Sequence, residues 1–167
     1  MHASNGPAPR SRLAPPPPFP SPMPLRTVVI DTQSLLDWLV FRNPACEDWS
    51  TRLQEDGWEW IFTSAMRAEF DHVAAAGFGE RWRVDAPAVA AAWARHAREV
   101  AEPAPLGAGQ RLSCTDPDDQ KFIDLAIAAR AQVLVTRDKA LLRLARRALE
   151  RHGVRICRPE AWTAGRD

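Results

Sequence analysis

CTDPDDQKFIDLAIAARAQVLVTRDKALL, residues 114–142, holds the information that decides the fold. Asp116-Pro117-Asp118-Asp119 is a helix-start signal, because short acidic side chains accept the free amides of a first turn and complement its dipole. Phe122, Ile123, Ala126 and Ile127 then recur on one face of the predicted helix. Val133-Leu134-Val135 is a short apolar run of the kind that forms a strand covered on both faces. Thr136-Arg137-Asp138 ends it, and a helix is expected from Leu141 to about Arg151. Helix, buried strand and helix in close succession form the unit of a parallel α/β sheet.

The same alternation extends in both directions. Upstream, Thr27-Val28-Val29-Ile30 reads as a first buried strand, Ser34 to Phe41 as a helix, and Trp49 with Leu53 as one face of another. Trp58 to Phe62 is a second strand, and a helix runs from Ser64 to about Ala76, where Gly77 and Gly79 break it. Pro87 opens an alanine-rich helix with Val89, Trp93, Ala97 and Val100 along one stripe. Pro103 to Gly109 is a loop, and Val154 to Cys157 is a last strand. Residues 1–24 stand apart: rich in Pro, Ser and Ala, they lack the apolar surface to offset their ordering entropy and read as a disordered or polyproline-like tail. Met23 is an alternative start that would leave this tail untranslated. The folded unit is then expected over residues 25–163.

Whole-chain properties narrow the function classes. A chain of 167 residues with 46% apolar and 26% charged content has an ordinary globular composition. Net charge +1 makes any polyanion-binding surface a local one. Three scattered cysteines without a CxxC pair suit a reducing compartment, not a disulfide framework or zinc knuckle. No apolar run reaches membrane-spanning length and no signal-peptide core is visible, so the expectation is a cytoplasmic protein without a membrane partner.

Four carboxylates carry the functional reading. Asp31 directly follows the first strand and Asp138 lies just beyond the third, so both fall at the carboxyl edge, where ligands bind to open parallel sheets. Asp119 begins the helix leading into that third strand and therefore approaches the same edge. Glu69 falls within the apolar arc formed by Ala65, Met66, Phe70 and Val73, where a carboxylate must be paired, protonated or metal-bound. Each acid also has a plain structural reading. Asp31 and Asp138 could cap the helices that follow them, Asp116 and Asp118 are turn or cap residues, and Asp119 could cap as well. Asp37 and Asp124 read as solvated helix positions, and a buried Arg pair could satisfy Glu69. Carboxylates crowded together repel one another and raise pKa values, which a hard divalent ion such as magnesium or manganese relieves. His72, His96 and His152 sit in no ligand frame.

These segments resemble the PIN-domain nucleases, specifically the bacterial group of toxin components of toxin–antitoxin systems. VVIDTQSLL (Val28 to Leu36) is similar to the opening strand-Asp-Thr-Asn motif of the family, with Gln33 where Asn is usual. TSAMRAEF (Thr63 to Phe70) is similar to the segment that carries its glutamate, and Cys114 to Leu142 to its aspartate-rich helix and strand-Thr-x-Asp-x-x-Leu-Leu. The resemblance spans about Thr27 to Trp162. It implies a three-layer α/β/α domain with a central parallel sheet, and divalent-metal-dependent hydrolysis of RNA phosphodiesters. The implied metal-binding and catalytic residues are Asp31, Glu69, Asp119 and Asp138, with Thr32 and Thr136 in support. Asp118 competes with Asp119 as the ligand. Implied partners are RNA, an antitoxin protein and a second copy of the chain.

Residues 138–167 carry eight Arg or Lys against four acids, a local balance of +4. Arg137 and Lys139 flank Asp138, and Arg143 and Arg147 continue a basic stripe with Arg146 and Arg151, so these are the candidate RNA contacts. The seven tryptophans read mainly as core, with Trp38, Trp49 or the Trp93 face as candidate interfaces. Two other functions compete: an Asp-based phosphatase or phosphotransferase, which would want a second Asp where Gln33 stands, and a catalytically silent PIN-like binding module.

Overall fold

The computed structural model describes residues 25–55 and 57–164, and the Pro-rich tail lies outside the described residues. Five parallel strands form one sheet: β1 (Arg26–Ile30), β2 (Trp58–Phe62), β3 (Ala97–Glu99), β4 (Val133–Val135) and β5 (Arg155–Cys157). The helices are α1 (Thr32–Leu39), α2 (Trp49–Glu55), α3 (Ser64–Ala76), α4 (Ala86–His96), α5 (Gln120–Ala128), α6 (Lys139–Leu142), α7 (Ala145–His152) and α8 (Pro159–Ala164). A short 3₁₀ turn at Pro44–Cys46 precedes α2. This is the parallel α/β architecture expected from the alternation of apolar runs and helical stripes.

The strand order is β3-β2-β1-β4-β5. The chain builds outward from β1 through β2 to β3, then returns to the other side of β1 with β4 and β5. The order therefore reverses between β1 and β4, and such reversals open a crevice beyond the carboxyl ends of the strands. The register pairs Val28, Val29 and Ile30 with Val133, Leu134 and Val135. All six side chains are buried, which is why both segments read as continuous apolar runs without alternation.

The structure corrects three local expectations. The alanine-rich helix stops at His96, and Ala97–Glu99 forms the edge strand β3 instead of extending the stripe to Val100. β3 is short and charged, and Arg98 grips Glu59 of β2 through two bonds of 2.6 and 2.8 Å. Such an edge resists further pairing and lacks the apolar signature of an interior strand. The helix expected over Leu141 to Arg151 is two helices, α6 and α7, broken at Arg143–Leu144. Finally, Trp49 and Trp93 belong to the chain's own core and not to an outer face. Trp93 packs on Trp60, Phe62 and Phe70, and Trp49 on Trp162 and on half-buried Trp38.

Candidate acidic site

Asp31 leaves β1 at the sheet reversal and is 3% exposed. Its amide donates to the Val135 carbonyl at 3.0 Å, extending the β1–β4 ladder by one bond. Its Oδ1 accepts from the Ser34 amide at 2.7 Å, so it does cap α1. Its Oδ2 accepts from the Thr136 hydroxyl. Burial pushes the Asp31 carboxyl up from its ordinary value, against these hydrogen bonds. Thr136, fully buried after β4, is the joint of the site: its Oγ1 donates to Asp31 and accepts the Asp138 amide at 2.9 Å. Asp138 in turn caps α6, its Oδ1 accepting from Ala140 and Leu141 at 2.6 and 3.1 Å.

Asp119 heads α5 but accepts no capping bond from its first turn. Its carboxyl is pushed up to about 6, first by burial and then by the negative charges of Asp138, Asp116 and Asp31. Asp118 is exposed, and its amide is taken by Asp116 Oδ1 at 3.0 Å. Asp119 is thus the acid of this segment that is half-buried and feels the acids of β1 and β4. Gln120, which sequence reasoning passed over, fixes this loop. It accepts from the Cys114 amide and donates to the Leu112 carbonyl and Asp124, at 2.8, 2.9 and 2.8 Å. Asp124 is therefore a bonded position, not a merely solvated one.

Glu69, on α3, is 31% exposed and satisfied on both oxygens: Thr32 donates to Oε1, and the Lys121 ammonium pairs with Oε2. Thr32 immediately follows Asp31 and Lys121 follows Asp119 by two residues, so Glu69 is tied to both segments. Among the described residues, no three His, Cys, Asp or Glu side chains are gathered closely enough to hold an ion as they stand. The donor chemistry nevertheless fits a hard cation. Magnesium commonly takes one or two protein carboxylates and keeps its waters. The acids here are oxygen donors whose mutual repulsion Lys121 offsets only in part, as Asp119 records.

The basic candidates divide sharply. Arg137 pairs with Asp37 at 2.6 Å and with Glu160 of α8 at 2.7 Å. Asp37 is 7% exposed, so it is a buried ion-pair partner and not the solvated helix position its sequence suggested. Arg146 pairs with Glu150, and Arg151 donates to the Gly109 carbonyl. Arg147 is exposed. Lys139, Arg143 and Arg158 instead line, with Leu142, an open groove of about 330 Å³ beyond Asp138, and among the described residues no carboxylate pairs with them. Arg158 was not singled out from sequence. Its position directly after β5, at the same sheet edge, was the available signal.

A family model described as PIN domain matches residues 27–140. No curated protein matches the chain in sequence. Among solved structures, the chain is similar to one in a complex described as VapBC2 from Rickettsia felis bound to a DNA fragment from their promoter. The TM-score is 0.51 at 10% identity, covering 79% of this chain and 98% of the other. At that identity the likeness is one of fold.

Proposed function

The chain belongs to the PIN domain family, and from that premise we propose that it is a divalent-metal-dependent endoribonuclease, the toxin of a toxin–antitoxin pair. The observation that carries the reading is the Asp119 carboxyl, pushed up to about 6 first by burial and then by the charges of Asp138, Asp116 and Asp31. An edge where Asp31, Asp119 and Asp138 form no salt bridge among the described residues, and Lys121 offsets the charge only in part, is suited to a cation, and through the cation to a phosphodiester. Asp31, Glu69, Asp119 and Asp138 would hold the ion. When bound, magnesium or manganese supplies Lewis acidity, making water a better nucleophile and offsetting charge on the phosphoryl oxygens.

The chain's own residues have distinct tasks. Ser34 and Thr136 fix both oxygens of Asp31, so that it meets a ligand pre-oriented. Thr136 also sets the loop of Asp138, and Thr32 holds Glu69. Lys139, Arg143 and Arg158, which form no salt bridge among the described residues, offer positive charge to the phosphates of a bound strand, which offsets the repulsion between nucleic acid and the acidic edge. The complex of the structural relative supports a protein antitoxin as partner.

The direct test is cleavage of single-stranded RNA in magnesium or manganese by wild type, Asp31→Asn and Glu69→Gln. Wild type is expected to cut, chelator to stop it, and each variant to lose at least about a hundredfold in rate, the scale of losing one major electrostatic contributor. Equal rates in all three proteins would sink the assignment.

A further inference from the structure

Four acids bring negative charge to one sheet edge, and among the described residues one cation touches any of them. Lys121, in the first turn of α5, sets its ammonium on Glu69 Oε2. It also donates to the Asp118 carbonyl, and its Nζ lies 4.9 Å from the Phe122 ring centre. The other Glu69 oxygen accepts from Thr32. The pair is only partly covered, with 23% of the lysine and 31% of the glutamate side chain exposed, so the lysine has a route to water. Its charge also reaches Asp119, where it opposes the upward push of the neighbouring acids.

We propose that Lys121 is a resident counter-ion of the acidic centre, occupying the cation's place on Glu69 and leaving it when a divalent ion binds. The inference rests on the metal-site reading above. An ammonium on a flexible four-carbon stem is a movable point charge with three donors. It can satisfy a carboxylate in the metal-free protein, but it cannot share that carboxylate with a second cation without strong repulsion. Occupation by lysine therefore holds Glu69 in place when metal is scarce and raises the metal concentration needed to fill the site. A partly exposed pair contributes about 1 kcal/mol, which corresponds to about a fivefold change in apparent affinity.

The test is a manganese titration of the full chain at fixed pH and ionic strength, read by calorimetry and thermal unfolding. It compares wild type, Lys121→Met and Lys139→Gln, with Lys121→Gln as a second variant should the methionine protein fail to fold. Lys139 is exposed beside Asp138 without an ion pair, so its variant gauges the through-space part of losing one charge. In chelator, Lys121→Met should unfold at a lower temperature than wild type. In manganese, its half-saturating concentration should fall about fivefold, and that of Lys139→Gln by less than twofold. If Lys121→Met needs as much manganese as wild type or more, or if Lys139→Gln matches it, the counter-ion role is overturned while the metal site stands. If no protein binds manganese, the metal reading and the counter-ion role fall together.

Discussion

Replacing Thr136 with valine keeps the volume and removes the hydroxyl that joins Asp31 to the backbone of Asp138. Two polar groups then lose a partner in a buried place, and such losses cost about 1–3 kcal/mol. Thr136→Val should lower the urea midpoint accordingly, and Thr136→Ser should recover most of it. Asp119 supplies a pH dependence of definite sign. Its folded carboxyl titrates at about 6 against 3.8 ordinarily. Between those values the folded state holds more protons than the unfolded one, so stability falls as pH rises through this window. Asp119→Asn removes that slope. In chelator at pH 7.5 the variant should be more stable by about 1 kcal/mol, a figure already reduced for solvent screening. At pH 4 the two proteins should unfold together, and denaturant melts at both pH values check the difference.

At the scale of elements, Arg137 ties three of them together. Its guanidinium leaves the β4–α6 loop to meet Asp37 of α1 and Glu160 of α8. Arg137→Met strands the Asp37 carboxylate at a site only 7% exposed, and removing one partner of a covered pair is strongly destabilising. Because the arginine itself is partly exposed, about 2–3 kcal/mol is expected, and Asp37→Asn with Arg137→Met should restore more than half of it in a double-mutant cycle. This network also marks where sequence reading stops. β1 and β4 were legible because burial on both faces demands uninterrupted apolar residues, and α3 because Gly77 ends an amphipathic stripe, with φ at 76°. Asp37 was not legible: its partner lies 100 residues away, and nothing in SLLDWLVF announces it. β3 was invisible for the opposite reason, since a short charged edge of three residues carries no strand pattern. At the acidic edge, topology alone brought Asp31 and Asp138 to one side. The grip of Lys121 on Glu69, which depends on how α3 and α5 are set beside each other, did not follow from spacing.

For the whole molecule, net charge +1 conceals an uneven distribution. Directly after Asp138 of the acidic edge, Lys139 joins Arg143 and Arg158 in lining a groove, and the three form no salt bridge among the described residues. In an Asp31→Asn background, changing all three to glutamine should weaken binding of a labelled single-stranded RNA. It should also reduce the slope of log affinity against log salt by up to about 2, near 0.7 for each phosphate left without its cation. Thermal stability should hardly change, because no described ion pair is broken. The strand order has a further consequence, for the timing of synthesis. β2 and β3 cover one side of β1 with residues made before position 100, while its other side waits for Val133. At roughly 5–20 residues per second that wait lasts seconds. During it, Val28–Ile30 is a bare apolar edge, open to pairing with another chain. The nascent protein therefore carries that open edge for as long as its acidic edge still lacks Asp138.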